Sequence, residues 1–242
     1  MDKFVNPQLE DAVDRALEML DTGSYVPGDP FFSPVQLAEK LQIAPELAGR
    51  VLEQLETLVR LDRRGDRYVI APPPVVRNTW AMSSLSAALA ERGYPLTSRV
   101  LFFGIVEAPK AASAMLELPL GEKVYLLHRV RSSRGLPMAL EQSYLPVSRF
   151  PGLMEYDFAA RSLYQTLEEK YQTRAASQAL EFFVEEPSPE ESRLLALAPG
   201  EPVLLTVGKT CSPSGRVFEY SLSRAPARRT VNECRPELRG KL

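Results

Sequence analysis

Apolar positions recur at helical spacing through the first 71 residues. Leu9, Val13, Leu17 and Leu20 share one face and Gly23 follows, which predicts a helix that stops at Gly23. A second helix is predicted from Ser33. The Ser33 side chain can accept from a first-turn N–H, Pro34 suits the first helical position, and Gln36 completes a capping-box spacing. Leu37 and Leu41 then face inward. A third helix is predicted from about Pro45, burying Leu47, Val51, Leu55 and Leu58. Only Gln42, Ile43 and Ala44 separate these two helices, the spacing of a helix-turn-helix. Residues 59–61 and 68–70 read as two short strands around a turn at 62–67, a hairpin placed as a wing.

Pro72, Pro73 and Pro74 interrupt the pattern, because consecutive prolines fix φ, lack N–H donors and favour an extended spacer. Residues 79–92 read as a connecting helix ended by Gly93 and Pro95. Beyond it, strands are predicted at 99–106, 123–131, 138–145, 179–184, 202–210 and 217–223. Helices are predicted at 109–116, at 162–171 with Ser162 as cap, and at 189–195. Short turns, one containing Arg134-Gly135 and one Pro213-Ser214-Gly215, make neighbouring strands antiparallel. The predicted fold class is α+β: a winged helix-turn-helix over 1–71, a linker over 72–95, and an antiparallel-sheet domain over 96–242. Phe102-Phe103, Phe182-Phe183 and Trp80 are assigned to the core. His128 alternates away from Arg129 as a strand residue.

The ordered motifs resemble the HutC subfamily of GntR-type bacterial transcription regulators, across nearly the whole chain. The resemblance is carried by Arg129-Val130-Arg131, Gly135-x-Pro137-Met138, Glu141-x-x-Tyr144-Leu145-Pro146, Phe150-Pro151-Gly152-Leu153 and Ser162-Leu163-Tyr164-x-x-Leu167. Pro202-Val203-Leu204 and Phe218-Glu219-Tyr220 close the series, and Gly23-x-x-x-Pro27-Gly28-Asp29 resembles a turn in the family's N-terminal part. The resemblance implies a winged helix joined to a UTRA effector domain of chorismate lyase-like fold. It implies a dimeric DNA-binding regulator, a repressor, whose effector domain binds a small metabolite and so alters DNA affinity. The chain departs from the family where arginines are usual: Val35 before the second helix, and Pro45 and Gly49 in the third. The wing, Arg64-Gly65-Asp66-Arg67-Tyr68-Val69, keeps part of the family's glycine-rich turn.

Charge sharpens the picture. The net charge of −2 divides unevenly: residues 1–75 hold eight Lys/Arg against thirteen Asp/Glu, a balance of −5. A duplex repels such a unit unless its charge is segregated, since phosphate neutralisation supplies most DNA affinity. The candidate DNA contacts are therefore Arg63, Arg64 and Arg67 on the wing, where Arg60 also clusters, with Arg50 on the third helix and Ser33 at the second helix's start. The alternative reading, carried by the same acidic balance and the replaced arginines, is a metabolite-sensing module whose winged helix no longer reads an operator.

Residues two apart on a strand share a face, so Arg129 and Arg131 point the same way, and two adjacent guanidiniums call for an anion between them. Glu141 falls opposite Arg129 if the hairpin is regular, and Ser162 caps a helix whose N-terminus suits an anion. Glu219 matches a family position that approaches the ligand. The expected effector is a small anion such as a sugar phosphate or a carboxylate. A tyrosine common in the family about six residues after Glu219 is replaced by the stretch Arg224-Ala225-Pro226, which points to an effector different from amino-sugar phosphates.

Composition narrows the remaining classes. The chain of 242 residues is 45% hydrophobic and 25% charged, the make-up of a globular protein. One histidine and two cysteines, Cys211 and Cys234, argue against a metal centre. Without a nucleophile–histidine pair, P-loop or dinucleotide glycine motif, neither enzymatic activity nor a cofactor is expected. No apolar run approaches the ~20 residues of a membrane helix, and no signal-like segment is seen, so no membrane partner and a cytoplasmic location are expected.

Overall fold

The computed structural model describes residues 6–71, 75–78, 96–133 and 135–233. The expected connecting helix at 79–92, the three prolines, Trp80, Arg134 and Cys234 lie outside the described residues. The chain divides into two compact units, Met1–Pro74 and Val75–Leu242.

In the first unit, α1 (Pro7–Thr22) is capped by Asn6, whose Oδ1 accepts from the N–H groups of Gln8 and Leu9. Helix α2 (Pro34–Leu41) has the capping box foreseen between Ser33 and Gln36. Gln42 then turns left-handed (φ 55°), and α3 (Pro45–Thr57) begins. Ala12, Ala16, Leu37, Leu41, Ala48, Val51, Leu52 and Leu55 form one buried cluster. The buried stripe of α3 is thus Ala48, Val51, Leu52 and Leu55. Leu47 is half-buried, and Leu58, expected in the core, is 46% exposed because it caps the helix and leaves its periodicity. The hairpin also starts later than expected. Val59 is left-handed (φ 56°), so β1 is Leu61–Arg64, paired antiparallel with β2 (Arg67–Ile70) around Gly65-Asp66.

In the second unit β3 (Val75–Asn78), within the segment expected as linker, pairs in parallel with β10 (Thr230–Glu233). The main sheet holds β4 (Leu96–Glu107), β5 (Lys123–Ser133), β6 (Leu136–Pro146), β7 (Ser177–Glu185), β8 (Val203–Cys211) and β9 (Val217–Pro226). Their spatial order is β4-β5-β6-β9-β8-β7, every pair antiparallel. One face packs α4 (Lys110–Leu116) through Ala112, Leu116, Val124, Tyr144 and Tyr220. The same face meets α6 (Pro189–Leu194) and its flanking residues through Leu194, Leu195, Val130 and Leu140. The opposite face packs α5 (Leu163–Tyr171), with Leu163 and Leu167 on Tyr125, Leu127 and Leu145.

The aromatic pairs assigned to the core divide. Phe103 packs on the α5 side, whereas Phe102, Phe182 and Phe183 are exposed by 45%, 39% and 48%. The physical reason is their position on β4 and β7, the two edge strands of the sheet.

Candidate functional site

The face of the sheet under α5 carries a polar patch in an otherwise apolar interior. Arg129 on β5 lies directly opposite Glu141 on β6. Its Nε and Nη2 lie 3.2 and 3.1 Å from Glu141 Oε2. Arg131, two residues along, places Nη1 3.2 Å from the same oxygen. Both arginines are about nineteen-twentieths buried, each being 5% exposed. Two guanidiniums therefore share one carboxylate oxygen in a desolvated setting. Arg129 Nη1 is buried without a hydrogen-bond partner. Buried donors are rarely left so, and an anionic group at this point would accept from that N–H.

Glu219, on β9, joins this site and is itself 2% exposed. Tyr164 in the first turn of α5 donates to Glu219 Oε2, Thr210 Oγ1 donates to the same oxygen at 3.3 Å, and Ser143 also bonds the carboxyl. Burial pushes the Glu219 carboxyl above the usual carboxylate range, and the hydrogen bonds from Tyr164 and Ser143 pull it partly back. Burial and the facing Glu219 hold the Tyr164 hydroxyl well above the usual phenol range, so it remains a donor. Gln178 on β7 extends the network to Thr210 (3.2 Å) and Tyr164 (3.4 Å).

Four of the five expected effector residues are arranged as follows. Arg129, Arg131 and Glu141 form the triad, and Glu219 lies close enough to interact electrostatically with Arg129 and Glu141. The fifth, Ser162, caps α5: its Oγ accepts from the Gln165 N–H at 3.4 Å, two residues before Tyr164. Tyr164, Thr210, Ser143 and Gln178 were given no role in the sequence. The available signal was Tyr164, two residues after the Ser162 cap in the Ser-Leu-Tyr motif. His128 is turned to the opposite face, near Glu190, Glu191 and Arg224, where burial lowers its pKa. Among the described residues no group of three His, Cys, Asp or Glu is placed to hold a metal ion, and no helix is long and apolar enough to cross a membrane.

The candidate DNA-contacting residues are less concentrated. Arg64 and Arg67 are exposed and directly opposed across the hairpin, so their charges crowd one face. Arg63 belongs to the other face, where its Nε donates to Gly65 O at 3.2 Å and its guanidinium lies 5.9 Å from the Tyr68 ring. Arg60, counted with the wing in the sequence, instead forms an ion pair with Asp21 of α1. Arg50 is exposed on α3, with no ion pair among the described residues. Ser33 is exposed, and because its Oγ accepts from the Gln36 N–H, its own O–H proton is still available.

Comparison with known proteins adds the following. The model of the UTRA domain family matches residues 91–230. The chain is 27% identical over 216 residues to the mannosyl-D-glycerate transport/metabolism system repressor MngR of Escherichia coli, covering 89% of this chain and 90% of that protein. It is 31% identical over 137 residues to the transcriptional repressor PhnF of Mycolicibacterium smegmatis, covering 57% and 56% of the two chains. The crystal structure of PhnF superposes with a TM-score of 0.71 at 23% identity, over 94% of this chain and all of that one, which establishes likeness of fold.

Proposed function

The chain belongs to the GntR/HutC-type transcription regulators that carry a UTRA domain, and from that membership we propose a repressor gated by a small anionic effector. The helix-turn-helix and wing of the first unit bind operator DNA, and the α5 face of the second unit holds the effector. The observation that carries the effector assignment is the buried Arg129–Glu141–Arg131 triad, with the unpaired Arg129 Nη1. A phosphate or carboxylate group fits these donors. The acidic balance of residues 1–75 does not oppose DNA binding where Arg64 and Arg67 project together on the wing.

Gating follows as a coupling between two binding equilibria. Effector binding favours a state of the protein that holds operator weakly, and operator binding disfavours effector by the same factor, typically about 5- to 150-fold. The reading includes a homodimer matched to a two-fold operator and a cytoplasmic location. The test is fluorescence anisotropy of the full chain with DNA from upstream of its own gene, across a salt series. Affinity that falls steeply with salt supports the reading, and no binding even at low salt overturns it.

A further inference from the structure

We propose that Phe182 is a specificity-determining residue of the effector site, and that the effector is an elongated carbohydrate acid or phosphate whose far end stacks on its ring. This inference rests on the effector reading above and adds to it the length and chemical character of the ligand.

The strand registers carry it. Arg129 is opposite Glu141, Glu141 opposite Ser223, Ser223 opposite Thr206, and Thr206 opposite Phe182. Directly opposed residues of antiparallel strands project from the same face. These five side chains therefore make one continuous row across β5, β6, β9, β8 and β7, on the face that carries the triad. The row begins with a buried guanidinium holding an unpaired N–H. It continues through a carboxylate and two hydroxyls, Ser223 and Thr206, each less than a tenth exposed, and it ends on an aromatic ring 39% exposed.

The chemistry of the row is graded. The cationic end fits an anionic group. The carboxylate and hydroxyls in the middle donate and accept in the way sugar hydroxyls require. The face of a phenyl ring is electronegative and suits the polarised C–H face of a pyranose. Adjacent strands lie about 4.8 Å apart, so Glu141 to Phe182, three strand spacings, spans roughly 14 Å. One sugar ring anchored at the triad does not reach Phe182, whereas a ligand of two ring lengths does. The next row is closed to a longer side chain, because a Cβ on Gly208 would lie 2.6 Å from Ser221 Oγ and 3.2 Å from Leu180 Cδ2.

Phe183 provides an internal comparison. It is exposed by 48% on the same strand, but its partner is Leu205, so it projects from the opposite face. The experiment titrates the full chain by calorimetry with one-ring acids (glucuronate and glucose 6-phosphate) and with two-ring-length acids (lactobionate and cellobionate). Wild type, Phe182→Ala, Phe183→Ala and Arg129→Ala are compared. The expected result is that Phe182→Ala weakens the longer acids about five- to tenfold while leaving the one-ring acids unchanged, and that Phe183→Ala alters neither. Equal effects of Phe182→Ala on short and long acids overturn the proposal. So does a change from dimer to monomer in Phe182→Ala by light scattering with ligand discrimination intact, which assigns the ring to a subunit interface. Loss of all acids in Arg129→Ala upholds the effector reading independently. If no acid of either length binds the wild type, the proposal fails together with the carbohydrate-acid assignment.

Discussion

Tyr164 donates its hydroxyl to the carboxylate of Glu219, joining the first turn of α5 to β9 inside the face that holds the arginine triad. Fifty-five positions separate the two residues, so this contact fixes the helix over the sheet rather than within a local turn. It also places an acidic group in a desolvated setting beside Arg129 and Glu141.

Burial raises the Glu219 carboxyl, so the native state binds this proton more tightly than the unfolded chain. Stability from this group is fully present below the ordinary carboxylate pKa of about 4.3 and is lost as pH rises through the raised native value. Glu219→Gln removes that loss. In denaturant titrations over a pH series, its stability relative to wild type is expected to improve as pH rises from the ordinary carboxylate pKa to the raised native one, and then to level off. Parallel curves would show that the carboxyl titrates as an ordinary exposed group.

Tyr164→Phe removes one donor to the Glu219 carboxyl, leaving Thr210 and Ser143, while keeping the ring against Phe218. Losing one hydrogen bond to a buried acceptor that keeps its others costs about 0.5–1.5 kcal/mol. Because the tyrosine hydrogen bond lowers the Glu219 pKa, the variant's deficit is expected to be greater at pH 8 than at pH 5. Chemical denaturation at the two pH values measures this, and an equal deficit at both separates a packing effect from a hydrogen-bond effect.

Arg129→Ala is expected to abolish anion binding. The fold should persist, because Glu141 keeps Arg131 as a partner at 3.2 Å. Removing both arginines leaves a buried carboxylate without either cation, a change that typically costs about 3–5 kcal/mol. Arg129→Lys keeps the charge and loses the planar fork, so it should recover only part of the affinity. Calorimetric titration with phosphate and with sugar acids measures these differences. Undiminished binding in both Arg129→Ala and Arg131→Ala would move the site elsewhere.

The triad was legible because strand alternation and hairpin register depend on local sequence alone: Arg129, Arg131 and Glu141 needed only period two and a regular turn. The Ser33–Gln36 box and the Ser162 cap were legible for the same reason, each closing within one helical turn. The cover of Glu219 by Tyr164 was not, since no local rule places α5 over β9. Nor was the exposure of Phe102, Phe182 and Phe183, because periodicity gives the face of a strand and not what covers it. Leu58 misled for a smaller reason: α3 ends at Thr57, and the apolar spacing outlasts the helix.

Ser33→Ala removes one half of the capping box at the start of α2 and leaves Leu37 and Leu41 in the core. The expected loss is about 1 kcal/mol of stability. Thermal melts of the full chain measure it. If Ser33 also donates to phosphate, DNA affinity should fall beyond what the stability change explains, with the loss recovered in part by Ser33→Thr.

The wing gives the sharpest test of DNA binding, because its arginines differ in what they already hold. Arg60 is tied to Asp21 and Arg63 leans on Tyr68 and Gly65 O, whereas Arg64 and Arg67 face each other across the turn. Two like charges so placed repel in the unbound protein and are relieved by a phosphate. Each phosphate neutralised contributes about 0.9 to the slope of log affinity against log salt. Arg64→Ala with Arg67→Ala should therefore reduce that slope by up to about 2, and adding Arg63→Ala should reduce it by less than one further phosphate. Arg60→Ala should lower stability by no more than about 1 kcal/mol, the usual value of an exposed ion pair, and leave the slope unchanged. Anisotropy titrations of the three variants and the wild type at graded salt measure each slope. A slope that stays at the wild-type value without Arg64 and Arg67 would remove the wing from the interface and leave α3, with Arg50, as the remaining route to the duplex.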